Sequence, residues 1–234
     1  MVSKKTCFLI AVALFLCASS LWAGDTASFV DLGFSPDGNT YMFGQYGVQS
    51  GTLKPWADLF VVDVRRNNFV SGGRISYTDQ DPIVAGSDGS GVLYRLISRN
   101  TALAERHGVN FLNQGQPLYI ALDTAAPSRW GETIEFRDFE AGYSYKASLV
   151  PTVEGSGAGL KSSFYITLDR VSRNGAQKSY TVGTPGIKRP LIASYKIKKV
   201  MVAPMDGSII FVIEMNKQAA DGVDVRYMVE ALHQ

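Results

Sequence analysis

Beyond residue 17 the chain has no cysteine: its two, Cys7 and Cys17, both fall in the opening segment. Without that segment, no disulfide, no Cys-ligated metal site and no cysteine nucleophile can form. An exported chain of this kind must be held by its core. Histidine is almost as scarce, with only His107 and His233. A Ser–His–Asp site would have to draw on His107, since His233 is expected to fray beside the last residue. Neither a G-x-S-x-G turn nor an H-E-x-x-H pair occurs, which removes the signatures of the nucleophile elbow and the zinc hydrolase helix. Excess charge is missing too. The chain holds 23 basic and 21 acidic residues, and Lys4 and Lys5 belong to the opening segment, so 21 of each sign remain after it. Nucleic-acid binding needs a surplus of positive charge to displace counterions, and none is present. Nor does any patch suited to an anionic membrane stand out.

Long apolar runs are absent apart from one. Lys4 and Lys5 precede Thr6–Cys17, TCFLIAVALFLC, and small and polar residues follow. This is the three-part plan of a secretory signal peptide, and the run is short of the roughly 20 residues a membrane helix needs. Residues 1–23 are read as the signal, with cleavage after Ala23. Leu21 occupies a position that prefers a small residue, so cleavage after Ser20 is the alternative. Cys17 follows Leu16, where lipid attachment favours a small residue, and is read as one more apolar residue of the signal. No transmembrane segment is expected after its removal.

What remains, residues 24–234, is read as a single β-rich domain; the whole chain is 46% hydrophobic and 11% aromatic. Short alternating runs separated by turn formers predict strands at Ser28–Phe34, Thr40–Tyr46, Trp56–Val64 and Phe69–Tyr77. Ser35-Pro36-Asp37-Gly38 turns the first pair back, with Pro36 fixing φ and Asp37-Gly38 closing tightly. The period then changes. Leu93, Leu96, Ile97, Leu103 and Ala104 fall on one helical face, which predicts a helix near 92–107, started by Asp88 or Ser90 and stopped at Gly108. Further strands are predicted at Pro117–Leu122, Thr133–Phe139, Gly142–Val153, Leu160–Val171, Lys178–Val182, Ile192–Val202, Ser208–Met215 and Val223–Leu232. The fold class is therefore mainly β: antiparallel sheets, sandwich-like or packed as small sheets, with one helical insertion. Propeller-like hairpin turns occur near both ends, at 35–38 and 204–207. A propeller needs at least four blades, and two such turns do not supply them.

Few residues suggest chemistry. Gly155–Gly159, with Lys161 and Ser162 nearby, looks like a phosphate loop. Its spacing does not match, however, and it joins two predicted strands rather than opening a helix. Carboxylates pair in sequence at Asp79/Asp81, Glu132/Glu135 and Asp138/Glu140, yet sequence does not give the separation that glycoside hydrolysis requires. Asp79, Asp81 and Asp88 offer oxygen ligands for calcium without the EF-hand spacing. Trp56 and Trp130 lie beside Pro/Gly loops, where they would stack on a sugar or, more simply, cover the end of a β core with the N–H satisfied at the edge. Tyr41, Tyr46, Tyr143, Tyr145 and Tyr165 suit half-buried strands. No catalytic residue, metal ligand or cofactor is assigned, and the ligand-binding residues are not identified.

Several segments together resemble an uncharacterised bacterial family of predicted secreted proteins with a domain of unknown function. They are Ser35–Gly38, Tyr41–Phe43, Tyr46–Gly51, Val62-Asp63 and, at the far end, Arg226–Glu230. Lys54, before Pro55-Trp56, departs from the pattern. The resemblance implies export and a shared fold; it implies no activity. The expectation is an exported, non-enzymatic binding or structural protein of the periplasm or cell envelope, with an envelope or extracellular partner. The alternative is a carboxylate-based hydrolase acting on glycans.

Overall fold

Turn chemistry sets the first sheet. In the computed structural model, which describes residues 24–84, 86–122, 127–220 and 222–233, strands β1 (Ser28–Phe34), β2 (Thr40–Val48), β3 (Pro55–Asp63) and β4 (Asn68–Thr78) form an antiparallel meander. The expected signal peptide lies outside the described residues. Between β1 and β2, the Asp37 carboxylate accepts from the Ser35 hydroxyl at 2.6 Å and the Asn39 N–H at 3.1 Å. Gly38 takes φ 74°, as the tight turn requires. Both faces of this sheet are covered. Tyr41, Phe43, Phe60 and Val62 point one way, and Met42, Leu59 and Val61 the other. Two-sided burial explains the unbroken apolar run LFVV, which a half-exposed strand would alternate with polar residues.

Helices α1 (Ser90–Arg99) and α2 (Thr101–Arg106) cover the second of these faces through Val92, Leu93, Leu96 and Ala104. Gly44 permits the close approach, since a Cβ there would lie 2.7 Å from a Leu93 methyl. The sequence predicts one helix; the structure breaks it at Asn100. That residue leaves helical φ/ψ, and its side-chain Nδ2 donates to the Leu96 carbonyl at 2.7 Å. Asparagine thus offers the backbone a local alternative to continuing the helix. Asp88 accepts from the Ser90 N–H at 2.9 Å, and Gly108, at φ 64°, ends the segment.

Strand β5 (Gln116–Ile120) follows, and then the outer sheet: β6 (Glu132–Asp138), β7 (Tyr143–Glu154), β8 (Lys161–Ser172), β9 (Gln177–Val182) and the two-residue β10 (Arg189–Pro190). Its order is β10-β8-β7-β6, with β9 also on β8. Strands β11 (Ile192–Val202), β12 (Ile209–Ala219) and β13 (Gly222–Leu232) join β5 as the central sheet, in the order β13-β12-β11-β5. Strand β12 shows why this sheet is central. Ile209, Phe211 and Ile213 pack with the outer sheet, while Ile210 and Val212 pack with the first. The layers therefore run helices, first sheet, central sheet, outer sheet. The mainly β, antiparallel fold of packed small sheets is as expected, and among the described residues the sheets number three.

The layers are closed by aromatic stacking and by a few long-range polar clasps. Phe34, Tyr41, Phe43 and Phe60 stack in series, with ring centroids 4.5, 5.9 and 4.7 Å apart. Each fully buried ring contributes on the order of 1.5–3 kcal/mol, which is where residues 24–233, without a cysteine among them, find their stability. The two ends also meet. Thr26 bridges Val225, and the Ala27 N–H donates to the Val225 carbonyl at 3.1 Å. The Arg226 guanidinium lies 4.1 Å over Trp56 and reaches Asp25 and Asp224 at 3.3 and 3.4 Å. Buried Glu230, on β13, accepts from Asn67 of the β3–β4 turn at 2.5 Å and pairs with Arg189 of the outer sheet at 3.3 Å. One carboxylate thus joins all three sheets.

A candidate binding cleft between the central and outer sheets

Along β8 the inward-facing residues are Phe164, Ile166 and Leu168, and the next in that row is Arg170. The same change occurs on β6, where Ile134 and Phe136 lead to Asp138, and on β7, where Ala147 and Tyr145 lead to Tyr143. Past the apolar core, the inner face of the outer sheet thus becomes polar and aromatic. Facing it is the β11–β12 turn, Val202 to Gly207, flanked by Gln114 and Gln116. The two walls enclose a cleft of about 590 Å³. Arg170 lies against two rings, 4.5 Å from the centre of Tyr143 and 5.5 Å from that of Tyr180. Met205 stands at the rim, 86% exposed, with φ 77°. A left-handed non-glycine residue stores backbone strain and often marks a functional turn.

Two of the three acids that line the cleft are engaged. One Asp138 oxygen accepts from the Glu140 and Ala141 N–H groups at 2.9 and 2.8 Å and so closes the β6–β7 turn. Asp206 accepts from the Ser208 N–H at 2.9 Å and the Ser208 hydroxyl at 2.8 Å. It also sits 3.3 Å from Nδ1 of His233. His233 is therefore tied down, contrary to the expectation of a frayed end. Ser208, His233 and Asp206 meet without forming a catalytic triad. Serine and aspartate share one ring nitrogen, Nδ1, and the serine hydroxyl is spent on the aspartate. A triad needs the two on opposite nitrogens.

The remaining sequence candidates are dispersed. His107 caps the end of α2, beside Asn39, Asp63 and Arg66. Asp79, Asp81 and Asp88 line one concavity, where Asp79 pairs with Arg95 at 2.9 Å; hydrogen bonds from Ser90 hold the Asp88 pKa below the usual carboxylate range. Among the described residues no three metal-ligating side chains come together. Glu132 accepts from the Ile197 N–H, whereas Glu135 lies on the opposite face of β6, paired with Lys146. Gly157–Gly159 form a single 3₁₀ turn in the β7–β8 hairpin, as the strand reading implies. Trp56 is buried beneath Arg226, with its Nε1 lacking a partner rather than satisfied at an edge. Trp130 is 92% exposed and does not line the cleft.

Residues 42–233, from within β2 to His233, match the family described as predicted secreted protein (DUF2259). The chain belongs to that family. The matched span includes every wall of the cleft. It begins after the Ser35–Gly38 turn and contains the Arg226–Glu230 segment, two of the segments that carry the resemblance. The family's secreted character agrees with the export expected from residues 1–23. No curated protein matches the chain. Among the described residues no helix is long and apolar enough to cross a membrane. The sequence did carry one signal for the cleft: Arg170 interrupts the alternation that runs through Phe164, Ile166 and Leu168.

Proposed function

We propose that this secreted protein is a non-enzymatic binding protein of the periplasm or cell envelope, and that its ligand seats in the cleft between the central and outer sheets. The observation that carries this reading is Arg170. A guanidinium held between tyrosine rings, where the apolar core gives way to a polar and aromatic cleft, is a preorganised recognition group. The glycan-hydrolase alternative draws less support. It calls for two available carboxylates with their pKa values pushed apart. In the cleft, Asp138 is spent on its turn and Asp206 on Ser208 and His233, which leaves Glu140 as a single lining carboxylate without a second. The carboxylate that burial pushes upward is Glu230, which does not line the cleft.

Hydrogen exchange tests the reading. The protein is exposed to solubilised envelope material from its native source, and protection is mapped by peptide. Slowed exchange concentrated at residues 138–145 and 202–207 is expected. No protection, or protection confined to the helices, would overturn it, and steady release of reducing sugar would favour the hydrolase.

A further inference from the structure

Arg170 has a like-charged neighbour. Its direct cross-strand partner on β9 is Lys178. Like charges directly opposite each other destabilise an antiparallel pair. Both cations lie against Tyr180, Arg170 at 5.5 Å and Lys178 at 4.8 Å from the ring centre. The Tyr180 hydroxyl is itself buried without a hydrogen-bond partner. Arg173 brings a third positive charge. Its Nη2 donates to the Phe139 carbonyl at 3.1 Å, and it crosses directly over Gly142, where a Cβ would lie 2.1 Å from the arginine Nε. Gly142 has φ 75°, so the turn both adopts a glycine conformation and makes room for the guanidinium.

These cations border a concavity of about 600 Å³ that continues the cleft and shares Tyr143 and Arg170 with it. Among the described residues neither Arg173 nor Lys178 enters an ion pair. Asp138 and Glu140 line the cleft that Arg170 also borders, with Asp138 committed to its turn, and Asp169, on the other face of β8, takes the Ser179 hydroxyl. We infer that this concavity is an anion site that takes a phosphate or carboxylate group of the ligand. The inference rests on the binding reading above and specifies its chemistry. An oxyanion set between Arg173 and Lys178, beside Arg170, gains charge-assisted hydrogen bonds, and arginine offers the fork that such oxygens fit.

The test is a titration of ¹⁵N-labelled protein with sodium phosphate and, separately, sodium acetate, with ionic strength held constant by chloride. Saturable shifts are expected at residues 139–143 and 170–178 with at least one of the two anions. Saturation by phosphate alone assigns a phosphate-bearing ligand, and saturation by acetate alone a carboxylate-bearing one. The double variant Arg170→Gln/Lys178→Gln should weaken binding at least tenfold, and Arg65→Gln, a cation elsewhere, should leave it unchanged. Lys178→Gln alone, at an exposed position, serves if the double variant fails to fold and should still weaken binding several-fold. Shifts that stay linear and match chloride for both anions overturn the anion site, as does binding indifferent to the variants. If the anions fail while envelope material still protects the cleft from exchange, the anion site falls and the binding reading stands. If that protection is also absent, both fall.

Discussion

Replacing Glu230 should separate the three sheets energetically, and the choice of replacement decides by how much. The side chain is 6% exposed, holds Asn67 at 2.5 Å and pairs with Arg189 at 3.3 Å. Glu230→Ala leaves both donors without their acceptor. Breaking a buried pair costs about 3–5 kcal/mol, and Arg189, at 18% exposed, recovers some solvation, so about 3 kcal/mol is expected. Glu230→Gln keeps an acceptor oxygen and removes the buried charge, so it should cost less than about 1 kcal/mol. The two proteins should also differ in pH dependence. Burial raises the Glu230 pKa above its ordinary 4.5, with Asn67 and Arg189 opposing. The folded state therefore keeps a proton that the unfolded chain releases, and stability falls as pH rises from about 4.5 through the raised folded value. The Gln variant lacks this loss. Urea unfolding at intervals from pH 4 to 7, followed by tryptophan fluorescence, gives both curves. Near-equality at pH 4 and a relative decline of wild type toward pH 7 are expected. A constant difference, or wild type gaining with pH, refutes the reasoning, as does an alanine cost under about 1 kcal/mol.

Other perturbations separate specific contacts. Gly131→Ala should destabilise by more than about 3 kcal/mol, because the residue has φ 83° and the new Cβ would lie 2.0 Å from the Leu149 carbonyl oxygen; chemical denaturation reads it directly. Gly44→Ala meets the end of the buried Leu93 side chain at 2.7 Å, with no backbone closer than 3.4 Å, and should cost about 1–2 kcal/mol, with faster exchange in α1 as a local readout. Arg226→Ala removes the cover of Trp56 and the link to Asp25, so the amides of Ala27 and Val225 should exchange at least tenfold faster. Trp130→Phe should change stability by less than about 0.5 kcal/mol and leave a blue-shifted emission from Trp56, whereas Trp56→Phe should leave a red-shifted one.

Strand positions were readable because turns announce them. Asp37-Gly38 and Asp206-Gly207 each place a carboxylate on the N–H two residues ahead, and the strands on either side begin close to where alternation predicts. The two turns also abut, since a Cβ at Gly38 would sit 2.7 Å from the Pro204 carbonyl oxygen and 3.0 Å from Asp206. Layer order was not readable. The run IIFVI in β12 announces a buried strand, and only the packing shows that alternate residues face different sheets. Long-range polar contacts escaped for the same reason. His233 seemed terminal and idle because Ser208 lies far from it in sequence. Trp56 and Trp130 have similar neighbours in sequence yet opposite burial, because one lies at the start of a covered strand, beneath Arg226, and the other in an exposed turn. The Asn100 break depends on one side chain reaching the Leu96 carbonyl, a contact that periodicity does not encode.

The measurement closest to the heart of the matter places a photoreactive residue at Met205, on the rim of the cleft, and a second, in a separate protein, at Tyr94, 66% exposed on α1. Both are irradiated with native envelope material. Occupancy of the cleft predicts a discrete adduct at position 205, competed away by excess unlabelled protein and much reduced by Arg170→Gln, with none at 94. Equal labelling at both positions, or an adduct at 94 alone, would contradict it.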